Sequence, residues 1–133
     1  MREGQATALD LNEVSRKIVD SAIQVHKKVG PGLLESVYRE CLVYELRKRG
    51  LRVEIEVQIP IMYDGVPLKS PLRLDILVEG EVIVELKSIE DVLAVHRAQV
   101  ISYLRLSGKR LGLLFNFNVV LLKDGMYRFV NKL

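Results

Sequence analysis

RLDILVEGEVIVELKS, residues 73–88, is the stretch on which the fold of this chain turns. Two runs rich in Leu, Ile and Val flank the VEGEV turn at 78–82, which reads as a β-hairpin. Apolar residues run almost without a break, as in strands buried on both faces, yet Asp75, Glu85 and Lys87 interrupt them. Side chains alternate faces along a strand, so partners in a regular antiparallel pair have residue numbers of constant sum. A two-residue turn at Glu79–Gly80 makes that sum 159 and sends Asp75 and Glu85 to opposite faces. A three-residue loop at 79–81, or a five-residue one, makes it 160, which sets Asp75 opposite Glu85 and Arg73 opposite Lys87; a bulge would let the shorter turn do the same.

In the second register, two like-charged pairs face each other, an unfavourable arrangement that the diagonals Asp75–Lys87 and Arg73–Glu85 offset in part. A divalent cation between the carboxylates offsets it further, and a phosphate can bridge the cations. Mg²⁺ suits such a place, since it takes one or two protein carboxylates and keeps waters on its other positions. The plain alternative is a charged ladder on a solvated sheet face. Leu77 and Ile83 on the same face weigh against it.

Outward from the hairpin, the chain is punctuated by glycines. Upstream, Asp10 with Glu13 forms a capping-box pattern, and Leu11, Val14, Ile18, Ala22, Val25 and Val29 make one helical stripe. GPG at 30–32 breaks that helix, and the pattern starts a second one there, with Pro31 in its first turn and Gly50 as its stop. Cys41 falls on this second helix as a small core residue. From Leu51 the period becomes two: Val53, Ile55, Val57 and Ile59 alternate with polar residues, and Pro60 marks an edge strand or a bulge. YDGVPLKSP at 63–71 is a turn into the hairpin. Downstream, VLAVHRAQVISYLRLSG at 92–108 reads as a helix, RLGLLFNFN at 110–118 as an interior strand, and VVLLKDGMYRFVN at 119–131 as a hairpin around Asp124–Gly125. The order α-α-β-β-β-α-β-β-β predicts a mixed α/β domain with a central sheet flanked by helices, the 92–107 crossover making two strands parallel.

Composition limits the function classes. With 133 residues, 49% apolar and 28% charged, the chain has the make-up of one ordinary globular domain, residues 1–9 being a flexible N-terminus. No apolar run approaches the roughly 18–20 residues of a membrane span. MREGQATALD lacks the apolar segment of a secretory signal, and a lone cysteine excludes a disulfide framework, so the reading is cytoplasmic. Net charge is only +3, but residues 1–85 carry 12 basic and 14 acidic side chains and residues 86–133 carry 8 and 3. The basic second part is suited to a polyanion, or is simply a solvated face.

A strand Asp followed ten residues later by Glu-x-Lys, as in LDILVEGEVIVELKS, resembles the core of the PD-(D/E)XK nuclease superfamily, with Leu74 where the naming Pro would stand. GLLESVY, Gly32 to Tyr38, is similar to the signature of the GxxExxY family of that superfamily. AQVISY carries Gln99 and Tyr103 at the Q-x-x-x-Y spacing of the RecB and lambda-exonuclease-like branches. The resemblance spans about residues 10–131, with the motifs in the same order. It implies a restriction-endonuclease-like core and a Mg²⁺-dependent nuclease, with Mn²⁺ as a substitute, acting on nucleic acid, DNA before RNA.

On that resemblance, Asp75 and Glu85 hold the metal, helped by the Leu86 carbonyl and by Glu35, for which a favourable place at a helix N-terminus is the alternative. Lys87 faces the transition-state charge or helps to position the attacking water. Gln99 orients Lys87, a water or a phosphate oxygen; Tyr103 touches the nucleic-acid backbone; Tyr38 packs and lends its hydroxyl to substrate. Arg73 binds phosphate or pairs with Glu85. His96 shares the Gln99–Tyr103 stripe as a surface or supporting group, and His26 has no assigned role. So small a chain has no separate sequence-reading domain, and a homodimer or a partner would supply substrate choice. The competing reading is a non-catalytic adaptor that binds nucleic acid or protein on a nuclease scaffold.

Overall fold

The computed structural model describes residues 9–131; the expected flexible N-terminus falls mainly on residues 1–8, outside that range. Helix α1 (Leu11–Val29) is capped by the Asp10 carboxylate, which accepts from the amides of Asn12 and Glu13. Glu13 pairs with Arg16. The apolar stripe is buried as its spacing predicts, from Leu11 to Val25, while Val29 at the end is 37% exposed.

Helix α2 (Glu35–Lys48) begins later than GPG suggested. Gly30 and Gly32 have φ of +71° and +90°, outside the helical region, so Pro31 lies in a turn and not in a first helical turn. Cys41 is half-buried against the core. Glu45, 5% exposed, ties the end of α2 down, since Arg49, Lys48 and Lys28 all approach its carboxylate.

Strand β1 (Val53–Ile59) is followed by a two-stranded hairpin of β2 (Met62–Tyr63) and β3 (Val66–Pro67), then β4 (Leu72–Val78), β5 (Val82–Lys87), α3 (Ala94–Ser107), β6 (Leu111–Asn116) and β7 (Met126–Val130). The main sheet has the order β1-β4-β5-β6-β7. β5 and β6 are parallel, joined over α3, and the other neighbours are antiparallel. The mixed sheet flanked by helices is thus present, with β1, just before Pro60, on the edge. α1 and α2 cover one face through Ile18, Leu42, Val78, Val84 and Phe115; α3 covers the other through Leu104, with Leu74, Leu77 and Ile83. Gly112 lets α3 approach β6: a Cβ there would lie 2.8 Å from Val100 Cγ1.

The end of the chain departs from the expected hairpin. Leu122–Gly125 is a 3-10 turn, and β7 pairs back onto β6. Neither Asp124 nor Gly125 has the positive φ that a two-residue hairpin turn of this type needs. Gly125 instead packs against the Asn116 carbonyl where a Cβ would not fit. His26 Nε2 sits 2.8 Å from the Val119 carbonyl, tying this segment to α1.

The regular alternation read from residues 53–59 does not put all four apolar side chains of β1 on one face. Val53, Ile76 and Val78 belong to the core under α1 and α2, while Val57, Ile59, Leu72 and Leu74 belong to the core under α3. The pairing stays in step on both sides, with Ile55 opposite Ile76 and Val57 opposite Leu74. Both strands therefore change face at the same level, Glu56 beside Asp75. Glu56 takes φ +52° to do so, and Ile55 is left 46% exposed.

Candidate active site

The β4–β5 register settles the hairpin: Ile76↔Val84, Leu77↔Ile83 and Val78↔Val82 all sum to 160, so the loop is the three-residue one. Regular pairing stops there, one step before Asp75 and Glu85. The two carboxylates replace the missing rungs. The Asp75 amide donates to Glu85 Oε2 at 2.9 Å, and the Leu86 amide donates to Asp75 Oδ2 at 3.3 Å. Each acid satisfies a backbone donor beside the other, which holds the pair together where strands alone would part.

The face change at Glu56 and Asp75 opens a cavity of about 240 Å³ lined by Glu35, Arg39, Glu56, Arg73, Asp75, Glu85 and Lys87, together with Leu74 and Leu86. Asp75, Glu85 and Lys87 thus share one pocket. Glu35, the first residue of α2, lines it while itself exposed. Leu86 sends its side chain into the opposite core.

Glu85 is 6% exposed, and its pKa is raised from 4.5 to about 7. Burial is the main cause. Negative charge on Asp75 and Glu35 adds to it, while the Asp75 amide and Lys87 act the other way. Two guanidinium groups balance the remaining charge. Arg39 Nη1 lies 3.1 Å from Asp75 Oδ1, and Arg39 Nη2 lies 3.7 Å from Glu56 Oε1. Contact with Asp75 raises the Arg39 pKa. Arg73 pairs with Glu56 rather than with Glu85.

Arg39 and Glu56 are the pocket residues that sequence reading missed. For Arg39 a signal existed: it stands four residues after Glu35, hence on the same helix face. Glu56 had none, because its place depends on the local φ reversal.

Gln99 and Tyr103 lie one turn apart on α3 and outside the pocket lining. Gln99 Nε2 donates to the Tyr103 hydroxyl at 3.0 Å. Tyr103 senses the acids nonetheless: burial and then the charge of Glu85 raise its pKa. Among the described residues, Gln99 Oε1 is the buried side-chain polar atom left without a hydrogen-bond partner. His96 Nδ1 accepts from the Leu93 amide at 2.8 Å, a helix-capping task.

Tyr38 is fully buried and stacks on Phe117 at 4.4 Å. Its hydroxyl donates to the Gly30 carbonyl at 2.6 Å and accepts from the Leu33 amide at 3.1 Å, clamping the turn before α2. The packing part of its expected role is what the structure displays. Tyr38→Phe should lower stability by about 1–2 kcal/mol, since two backbone groups lose a partner. Urea denaturation measures this, and an unchanged midpoint would contradict the clamp.

Oxygen donors from two or three carboxylates, one of them buried at the edge of its ionised form, fit a hard divalent cation better than a soft metal. Among the described residues, no group of three or more His, Cys, Asp or Glu side chains is gathered into a ready-made cage. No helix among them is long and apolar enough to cross a membrane.

Comparison with known proteins agrees with the geometry. Residues 12–129 match the model of the PD-(D/E)XK nuclease superfamily. No curated protein and no solved structure matches the chain. The match covers most of the sequence and contains both strands of the acidic pocket, so the chain belongs to the PD-(D/E)XK nuclease superfamily.

Proposed function

We propose that this protein is a divalent-metal-dependent phosphodiesterase that hydrolyses nucleic acid, DNA in preference to RNA. The observation that carries the proposal is the mutual capping of Asp75 and Glu85 at the point where β4 and β5 stop pairing, with Lys87 in the same pocket. Asp75 and Glu85, with Glu35 and the Leu86 carbonyl, would hold Mg²⁺, or Mn²⁺ in its place. A bound ion of this kind lowers the pKa of its water and stabilises charge on the leaving oxygen. Lys87 neutralises the nonbridging phosphate oxygens, as a fixed donor does for developing charge. Gln99 offers its unpartnered Oε1 as an acceptor that orients an ammonium or a water, and Tyr103 reaches toward the nucleic-acid backbone. Arg73 and Arg39 stand at the pocket as phosphate partners.

Within the superfamily, we place the chain in the GxxExxY family, near the RecB and lambda-exonuclease-like branches, on Gly32, Glu35, Tyr38 and the Gln99–Tyr103 pair. Homodimerisation would contribute to substrate choice.

A second reading is a non-catalytic adaptor on the same scaffold. The ion pair of Arg39 with Asp75 favours it, because it engages a carboxylate that a metal would need. One assay separates the two: purified protein with Mg²⁺ or Mn²⁺ and single-stranded, duplex and branched DNA, beside Glu85→Ala. The enzyme gives metal-dependent cleavage that the variant loses. The adaptor gives equal background in both.

A further inference from the structure

A second depression adjoins the acidic pocket. It is a surface groove of about 720 Å³ between α2 and β1, lined by Arg39, Val43, Tyr44, Arg47, Lys48 and Ile55. That is about three times the volume of the acidic pocket, and Arg39 lines both. The two therefore share Arg39 as a common wall.

The chemistry of the groove differs from that of the pocket. Arg47 and Lys48 give it two cations, against Glu40 as the one acid among the described residues of its wall, while the Arg39 guanidinium is paired with Asp75 and Glu56. Arg47 is exposed and anchored, its Nη2 donating to the Val53 carbonyl at 2.9 Å. Lys48 lies 3.7 Å from Glu45 Oε1, but Arg49 already holds that oxygen at 2.7 Å and Lys28 approaches the other at 3.8 Å. Three cations share one carboxylate there, which leaves positive charge over. Between the cations lies an apolar floor. Tyr44 is 64% exposed and Ile55 46% exposed, and Lys48 Nζ stands 5.5 Å from the Tyr44 ring centroid. Tyr44 and Ile55 thus form a small open apolar patch flanked by cations.

We propose that this groove carries a single strand of nucleic acid leading out of the acidic pocket, with a base stacked on Tyr44 and phosphates on Arg47 and Lys48. Phosphate contacts alone would serve a duplex equally well. A stacking ring serves only bases whose faces are free, and cations alternating with an aromatic platform are the general device for unpaired strands. The charge of the groove and its continuity with the pocket both select a polyanion over an apolar protein partner. The proposal deepens the nuclease reading and rests on it for direction, since the strand is led toward the site of cleavage.

The test is fluorescence anisotropy on the full chain in EDTA and low salt, with a labelled twelve-residue oligo-dT and a duplex of the same length. The expected result is tighter binding of oligo-dT, weakened about tenfold or more by Tyr44→Ala and preserved by Tyr44→Phe. Lys48→Glu should weaken it further and flatten the salt dependence. Thermal melting of each variant excludes unfolding, which an exposed position should not cause. Equal affinity for duplex, or oligo-dT binding by Tyr44→Ala at the wild-type level, overturns the proposal; so does a change of oligomeric state in Tyr44→Ala with affinity intact. Hydrolysis of bis(4-nitrophenyl) phosphate by the wild-type protein with Mn²⁺ reads the acidic pocket separately. If hydrolysis is absent while Tyr44-dependent binding holds, the nuclease reading fails and the groove stands.

Discussion

Glu85→Gln should raise the melting temperature of the protein at pH 8 and, in the same molecule, remove divalent-cation binding and cleavage. The sign follows from burial. The Glu85 pKa is raised from 4.5 to about 7 in the folded chain, mainly by desolvation. Between those values the folded protein holds a proton that the unfolded chain has released. Stability from this group is therefore greatest at acid pH, falls as pH rises through that window, and levels off above about 7. A displacement of that size corresponds to roughly 3 kcal/mol at pH 8, or on the order of 10 °C in a chain of this length. Gln keeps the shape and can still accept from the Asp75 amide, so only the charge penalty disappears. Melting curves from pH 5 to 8 should fall for the wild type and stay nearly flat for the variant. Adding Mn²⁺ at pH 8 should restore the wild type alone, and cleavage by the variant should drop about a thousandfold or more. A wild type that gains stability from pH 5 to 8, or a variant that binds Mn²⁺ equally well, would refute this account of Glu85.

Buried carboxylates placed at a loss to stability mark where a fold serves something other than itself, and here that mark was legible early. Three charges in strands of Leu, Ile and Val pointed to the pocket, and the parity of the loop reduced its geometry to two choices. The parallel crossover through α3 also followed from order alone. What stayed hidden depended on contacts between distant segments. Asp-Gly occurs twice and behaves in two ways. At 64–65 both residues have positive φ, +54° and +76°, and turn the small β2–β3 hairpin. At 124–125 the chain needed a glycine for close approach to Asn116, and β7 found its partner in β6. Local turn chemistry is the same in both; packing decides. The face change at Glu56 is hidden for the same reason. Alternation along VEIEVQI looks regular, and only the two cores on either side of the sheet reveal that Val53 and Val57 point apart. Without that reversal there is no opening for Asp75, so the part of the site that sequence could not show is the part that makes it a cavity.

Lys87→Met should abolish most cleavage while leaving cation binding in place, a separation that Glu85→Gln does not give. Lys87 ends β5, where its backbone is held from the β6 side: it pairs with Asn116, and its carbonyl accepts from the Phe117 amide at 3.0 Å. Two residues after Glu85, it lines the same pocket, where we propose it as a charge donor and not a ligand. Removing one fixed donor to developing charge lowers turnover by about 10²–10³. The same substitution deletes a charge that holds the Glu85 pKa down, so Glu85 rises further. Cation binding needs the ionised carboxylate, and its pH midpoint should move to a higher value in Lys87→Met, with unchanged affinity once that midpoint is passed. Lys87→Arg keeps the charge and should leave the midpoint near the wild type. Its broader fork should recover only part of the rate. Calorimetric Mn²⁺ titrations at several pH values, beside single-turnover cleavage, read both effects. Wild-type turnover in Lys87→Met would remove Lys87 from the chemistry. A lost cation at alkaline pH would make it a structural prop for Glu85 instead.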